Sequence, residues 1–392
     1  MQIAPQTPAR LLVWKEFRLK PHVAAIRHRA LFPMIGLQQR NWSQVVLERN
    51  QTLKDWSAAS VLIISNSYRD DDVELARAAS SAGLPVVADI CDNVFIGDIK
   101  GDRGQMQRRN FEAIAGLSTA ITVPSPYMAE TVASNLDQHC PISVIPDQNE
   151  TLPQTRAAFD TEAWLEKNSR LRKWAWEDQR MRFLKRAKRR LGLKKADLAP
   201  ERPTPRREPG RKRLVWFGHH GEFGKSGLWA LADAIPALEA VNAHCPIELL
   251  VVSNSEEKFR DLISTATFPT LYTAWHPFQV FRDIESADLC VLPNARDSLT
   301  LPKSAGRIVM ALGLGVPVAA TMVSSLEKLR PGLFEGMTAE TLTLALTNEA
   351  ERRRRLEIGK RIVEEAFSSQ AVSKRWDALL TQVVEKAQPL RG

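Results

Sequence analysis

The hydrophobic positions of this chain come in short apolar bursts separated by longer stretches of roughly helical spacing. In the first half the bursts fall at residues 11–14, 44–47, 60–65, 84–90, 119–123 and 142–145, and helix-like stretches at 72–81 and 125–136 part several of them. Apolar runs that alternate with helices predict a parallel sheet covered on both faces. Gly83 fits a helix stop, and Leu84-Pro85 starts the next strand. The second half repeats the scheme. Strands are expected at 213–217, 246–253, 270–273, 287–293 and 316–321, helices at 226–241 and 280–286, and a helical tail at 338–387. The fold class is therefore α/β, with two doubly wound parallel-sheet domains.

The sharpest unit runs from Ala287 to Thr321 as strand, polar loop, helix, tight turn and strand. The loop covers 294–302, the helix starts near Ser304, and Gly313 and Gly315 make the turn. Such a loop lies at the carboxyl end of a strand and the amino end of a helix, where open α/β sheets bind phosphate groups. Lys303, Ser304 and Arg307 put two cations and a hydroxyl on one turn there. The alternative is a solvated helix start.

A length of 392 residues has room for two domains, and 44% hydrophobic with 25% charged residues is ordinary for a soluble globular protein. Cys91, Cys140, Cys245 and Cys290 are far apart and form no CxxC pair. That argues against a zinc site or a disulfide framework and fits a reducing, cytoplasmic location. The first twenty residues hold no apolar signal core, and the longest nearly apolar run, 308–323, is interrupted by Gly313, Gly315 and Pro317.

Charge changes the picture more than composition does. Residues 164–213 hold 19 Lys or Arg against 6 Asp or Glu, in a chain of +9 overall, so the remainder is slightly acidic. Within it, 164–193 reads as a basic amphipathic helix, with Leu171, Trp174, Met181, Leu184 and Leu191 on one side and Lys185, Arg186, Lys188, Arg189 and Arg190 around the other. Residues 195–213, with four prolines, read as an extended linker. The expected divisions are 1–155, a basic helical insertion and linker at 156–212, a second domain at 213–370, and a C-terminal helix and tail at 371–392. The insertion suits an anionic membrane surface, Trp side down, which would make the protein peripheral at the inner face of the membrane. Nucleic acid is the less favoured partner, through phosphate contacts and stacking on Trp174 and Trp176. A solvated arm between domains is the plainest alternative.

Several motifs together resemble the GT-B glycosyltransferases of the broad group that includes glycosyltransferase family 4. Arg213-Leu214-Val215-Trp216-Phe217-Gly218-His219-His220-Gly221 is similar to the first strand and loop of their donor-binding domain. The segment from Ile284 to Pro293 is similar to the strand before the diphosphate loop, and Gly315-Val316-Pro317-Val318 to the G-x-P-V turn. In the first half, Val87 to Asn93 and Ile121 to Ser125 resemble acceptor-domain strand ends. The resemblance implies two Rossmann-like domains facing a cleft. It also implies a nucleotide-sugar donor on the second, a glycan or lipid-linked acceptor on the first, a cell-surface polysaccharide or glycolipid pathway, and no metal or other cofactor. Its donor diphosphate would lie on Lys303, Ser304 and Arg307, with Lys225, His219, His220 and Gly221 nearby. The chain departs from the group at the two positions where paired glutamates are usual, which here are Pro302 and Met310.

Asp92, at an expected strand end, is the candidate base for an acceptor hydroxyl, with a turn or cap as its other reading. Asp89 is the second carboxylate candidate. His28, between Arg27 and Arg29, could face an anionic ligand or belong to surface charge. Two other readings stand beside transfer. Gly224-Lys225-Ser226 ends a strand-to-helix segment like an ATP-binding P-loop, though His219 stands where that motif needs glycine. A non-catalytic member of the fold could bind membrane or nucleic acid through 164–213.

Overall fold

The structure is a computed structural model that describes residues 10–16, 19–47, 51–53, 55–96, 101–137, 140–160, 175–177, 200–221, 226–298 and 300–387. The first half supplies β1 (Arg10–Lys15), β2 (Trp42–Leu47), β3 (Gln51–Leu53), β4 (Val61–Ser65), β5 (Val86–Asp89), β6 (Ala120–Val123) and β7 (Ile142–Val144). All but β3 join one parallel sheet in the order β2-β1-β4-β5-β6-β7. After β8 (Ala175–Glu177), the second half supplies β9 (Lys212–Phe217), β10 (Ile247–Ser253), β11 (Thr270–Ala274), β12 (Leu289–Leu292), β13 (Val318–Ala320) and β14 (Leu333–Glu335). These form a second parallel sheet, β11-β10-β9-β12-β13-β14. Each sheet reverses its direction of growth beside its first strand. That reversal opens a crevice at the carboxyl ends of the strands.

The central strands are apolar because both faces are covered. Every residue of β4 and of β10 is buried. Among the polar exceptions are two ion pairs, Arg213 with Glu248 at 2.5 Å and Lys15 with Asp72 of the helix Asp70–Ser81 at 3.6 Å, all four side chains almost inaccessible. Such pairs persist only while both partners are present.

Several expectations meet differences. The helix expected over 226–241 is two, Leu228–Ala232 and Ile235–Asn242, because Pro236 opens a new helix rather than continuing one. The tail is three helices, Ala339–Thr347, Glu349–Phe367 and Ser369–Ala387, with Asn348 capping the second through the amide of Glu351. Within 164–193, Ala175–Glu177 is not helical but pairs antiparallel with Gln51–Leu53. The rest of that segment lies outside the described residues, as does Lys225. The strands β3 and β14 and the helix Gly101–Gly116 have too little apolar periodicity to stand out in the sequence.

The last helix, Ser369–Ala387, returns to the first half. Trp376 meets Trp14 edge-on at 5.8 Å, Trp42 donates to Asp377 at 2.8 Å, and Arg10 donates to Thr381. Beside this return the amide of Asn149, which follows β7, donates to the carbonyl of Phe367, at the end of the preceding helix, at 2.6 Å.

Candidate active site

A cavity of about 690 Å³ lies where the two halves face each other. One wall comes from the loops that follow β9 and β12, the two strands flanking the reversal point of the second sheet. The other comes from segments that follow β1, β5 and β7 of the first sheet.

On the second-sheet wall stand Gly218, His219, Lys303, Ser304 and Arg307. The helix behind them, Gly306–Gly313, buries Ile308 to Leu312 against the sheet. It begins two residues later than expected, because Thr300, Leu301 and Lys303 turn back on Asp297 and Thr300. Arg307 is half-buried and held by neutral groups: Nη1 donates to the Phe217 carbonyl and Nη2 to Asn294 Oδ1, both at 3.3 Å. Its guanidinium lies 5.9 Å from the Trp216 ring. Burial draws it below its usual value, yet an arginine remains cationic. Gly218 lets it approach, since a Cβ there would sit 3.0 Å from Arg307 Nη1. Neither Arg307 nor the exposed Lys303 has a carboxylate partner among the described residues.

The neighbouring candidates are employed otherwise. Ser304 donates its hydroxyl to Asp147 Oδ2 across the cleft at 2.5 Å. His220 turns its amide and ring to Asn254 and does not line the cavity. Gly221 serves the backbone: its φ is +85°, and a Cβ would run into the Ser226 carbonyl. His219 lines the cavity and accepts from the Gly221 amide at 3.2 Å.

The opposite wall is built on a widened, π-helical turn, Arg27–Leu31, whose Arg27, His28 and Arg29 are all buried rather than surface charge. Such turns recur at functional sites. Arg27 forms a two-pronged pair with Glu150, Nε to Oε1 at 2.7 Å and Nη2 to Oε2 at 3.1 Å. His28 Nε2 stands 3.3 Å from Glu150 Oε2. Burial opposes the charge on Glu150, but the hydrogen bond from His28 and the charge of Arg27 override it and hold the carboxyl at about 2. Arg29 pairs with Asp89 at 2.5 Å and with Asp147 at 3.3 Å.

Asp89, the second carboxylate candidate, is taken up by bonds within the fold. It is fully buried, outside the cavity lining, and its oxygens accept from Arg29, from Ser65 at 2.9 Å and from Thr122 at 2.7 Å. Asp92 does line the cavity, exposed and without a hydrogen bond or ion pair among the described residues. The turn role weighed for the Asp92-Asn93 pair falls to Asn93, which accepts from the Phe95 amide and donates to the Ser298 carbonyl. Pro302 and Met310, at the positions of the absent glutamates, present a carbonyl bonded to Ser125 and a buried thioether. The carboxylates of the cleft thus come from the first half. Asp147, Glu150 and Arg27 were not singled out from the sequence. The signal was present in two carboxylates just past the end of β7. Among the described residues no cluster of His, Cys, Asp and Glu is placed to hold a metal ion.

No protein-family model and no curated protein matches the chain. Solved structures do. HepE of Anabaena, solved with UDP and glucose, superposes with a TM-score of 0.57 at 10% identity, covering 95% of this chain and 100% of that one. Sucrose-phosphate synthase of Thermosynechococcus elongatus gives 0.57 at 13% identity, over 96% of this chain and 100% of that one. An α,α-trehalose 6-phosphate synthase of Burkholderia multivorans gives 0.57 at 10% identity, over 98% and 99%. The two facing parallel sheets of this chain have the GT-B fold of glycosyltransferases.

Proposed function

We propose that this protein is a glycosyltransferase. It takes a sugar from a nucleoside-diphosphate-sugar donor and passes it to a hydroxyl of a glycan or lipid-linked acceptor. The observation that carries this reading is Lys303 with Arg307, two cations without carboxylate partners among the described residues, at the crevice of the second sheet. As the sugar–phosphate bond breaks, the departing diphosphate gains charge. Fixed cations and the amides at the start of the Gly306–Gly313 helix stabilise that developing charge more than the bound donor. In this role they replace a divalent ion, so the reaction is metal-independent. HepE, solved with UDP and glucose, supports a nucleotide-sugar donor.

The acceptor class, a cell-surface polysaccharide or glycolipid, rests on the family resemblance. The basic segment 164–193 supplies the electrostatic means to bring a cytoplasmic enzyme to an anionic membrane. Among the described residues no helix is long and apolar enough to cross one.

The test is a thermal-shift panel with UDP, GDP, ADP, CMP and Mg²⁺-ATP. Ligands that bind only the folded chain raise its melting temperature by mass action. A shift with one nucleoside diphosphate, undiminished by EDTA, is expected. A shift with Mg²⁺-ATP alone would instead favour the P-loop reading of Gly224-Lys225-Ser226, and silence throughout would sink the donor site.

A further inference from the structure

We infer that Ser125, together with Asn93, is a positioning residue for Lys303: the first half of the chain holds the stretch on which the second half presents that cation. This rests on the transferase reading, which puts the donor diphosphate on Lys303 and Arg307. It adds residues of the other half on which donor affinity depends.

Both side chains are aimed at the loop after β12 by their own half. The Ser125 hydroxyl caps the helix Pro126–Asn135, accepting from the Met128 amide at 3.1 Å. An amide only donates, so the hydroxyl proton is left for another acceptor. It goes to the Pro302 carbonyl at 2.8 Å, where Ser125 is almost wholly buried. Asn93 repeats the arrangement. Its Oδ1 accepts from the Phe95 amide at 3.0 Å, which leaves Nδ2 to donate to the Ser298 carbonyl at 3.2 Å. Both acceptors are backbone atoms, and Pro302 directly precedes Lys303. Within its own half the stretch makes a tight turn, the amides of Thr300 and Leu301 bonded to Asp297 and that of Lys303 to Thr300. That turn closes on itself, and Ser125 and Asn93 add a hold from across the cleft.

Lys303 needs such a hold more than Arg307 does. Its ammonium ends a flexible four-carbon stem, it is exposed, and no ion pair fixes it among the described residues. Where its backbone stands therefore decides whether the charge meets a diphosphate beside Arg307. Arg307 is held within its own half, by the Phe217 carbonyl and Asn294. A binding group fixed before its ligand arrives raises affinity by sparing the cost of ordering. Ser304, the residue after Lys303, also reaches the first half, but through its side chain to Asp147. The backbone hold is the one at Pro302, so Lys303 keeps its place when the Ser304 bond is lost. The plain alternative is that the Ser125 and Asn93 bonds only join the halves.

Titration calorimetry on the full chain tests this, with whichever of UDP, GDP or ADP raises the parent's melting temperature. Ser125→Ala should weaken that binding roughly three- to tenfold. Asn93→Ala should weaken it less, and Ser125→Thr, which keeps the hydroxyl, should bind as the parent does. The deciding comparison is made in Lys303→Ala. There Ser125→Ala should have no further effect, because the group it positions is gone. Parental affinity in Ser125→Ala, or an equal loss with and without Lys303, would overturn the proposal. Loosened halves or a lost helix cap would act on both backgrounds alike. Asn93→Ala, taken through the same cycle, decides the matter should Ser125→Ala fail to fold. Failure of the transferase reading shows differently: neither parent nor variants then bind any nucleoside diphosphate.

Discussion

The two walls of the cleft carry similar side chains and use them in opposite ways. On the first-half wall, Arg27 and Arg29 are buried, and each has a carboxylate: Glu150 for one, Asp89 and Asp147 for the other. On the second-half wall, Arg307 is held only by a carbonyl and an amide oxygen, and Lys303 has no ion-pair partner among the described residues. Charge that is neutralised within the fold holds the fold. Charge that is positioned but left without a counter-ion is ready for an anion that arrives from outside. The donor reading therefore rests on unpaired cations, and the larger number of charges on the opposite wall does not weaken it.

The comparison is tested hardest at Asp89. Asp89→Ala leaves Arg29 buried with only part of its neutralising charge, and should cost about 3–5 kcal/mol of unfolding free energy. Urea denaturation measures this, and a cost under about 1 kcal/mol would show that the first wall is not structural. Glu150 gives the next largest effect. Its carboxyl is held at about 2 against an ordinary 4.5, so the ionised form is stabilised by folding. That stability is complete above about pH 4.5 and is lost as the pH falls toward 2, by on the order of 3 kcal/mol at most. Denaturation midpoints between pH 6 and pH 3 should fall more steeply for the parent than for Glu150→Gln. Across the cleft, Arg307→Ala should leave unfolding nearly unchanged but weaken nucleoside-diphosphate binding by about 1.5–3 kcal/mol, with a smaller loss for Lys303→Ala. Titration calorimetry measures both. Parental affinity in the two variants would mean that the unpaired cations serve something else.

The sequence showed the second wall better than the first, for a physical reason. A phosphate crevice is a local device: strand, loop and helix start lie within Ala287 to Thr321, so Lys303 and Arg307 could be read from contiguous residues. The first wall is made by distant parts. Arg27, Asp89 and Glu150 lie tens of residues apart, and only the sheet order β1-β4-β5-β6-β7 brings their strand ends together. Nothing local marked Asp89 as an ion-pair partner instead of a base; the difference is made by Arg29, Ser65 and Thr122. The triplet Arg27-His28-Arg29 looked like surface charge because charge runs usually are, and a π-helical turn leaves little trace in composition. The sheets were legible except for the short edge strand β14, since strands covered on both faces must be continuously apolar.

Ser304 gives the smallest and most discriminating case, because it belongs to both walls. From the sequence it reads as a phosphate ligand beside Lys303. In the structure its hydroxyl proton goes to Asp147, the carboxylate that also takes Arg29. If that bond is what Ser304 is for, Ser304→Ala should cost about 0.5–1.5 kcal/mol of stability and leave nucleotide affinity unchanged. Asp147→Asn combined with Ser304→Ala should then cost less than the sum of the two single changes, since both remove one shared bond. A drop in nucleotide affinity with strictly additive stabilities would say the reverse. Ser304 would then release Asp147 when a donor arrives, and the line between paired and unpaired charge would run through this residue instead of between the walls.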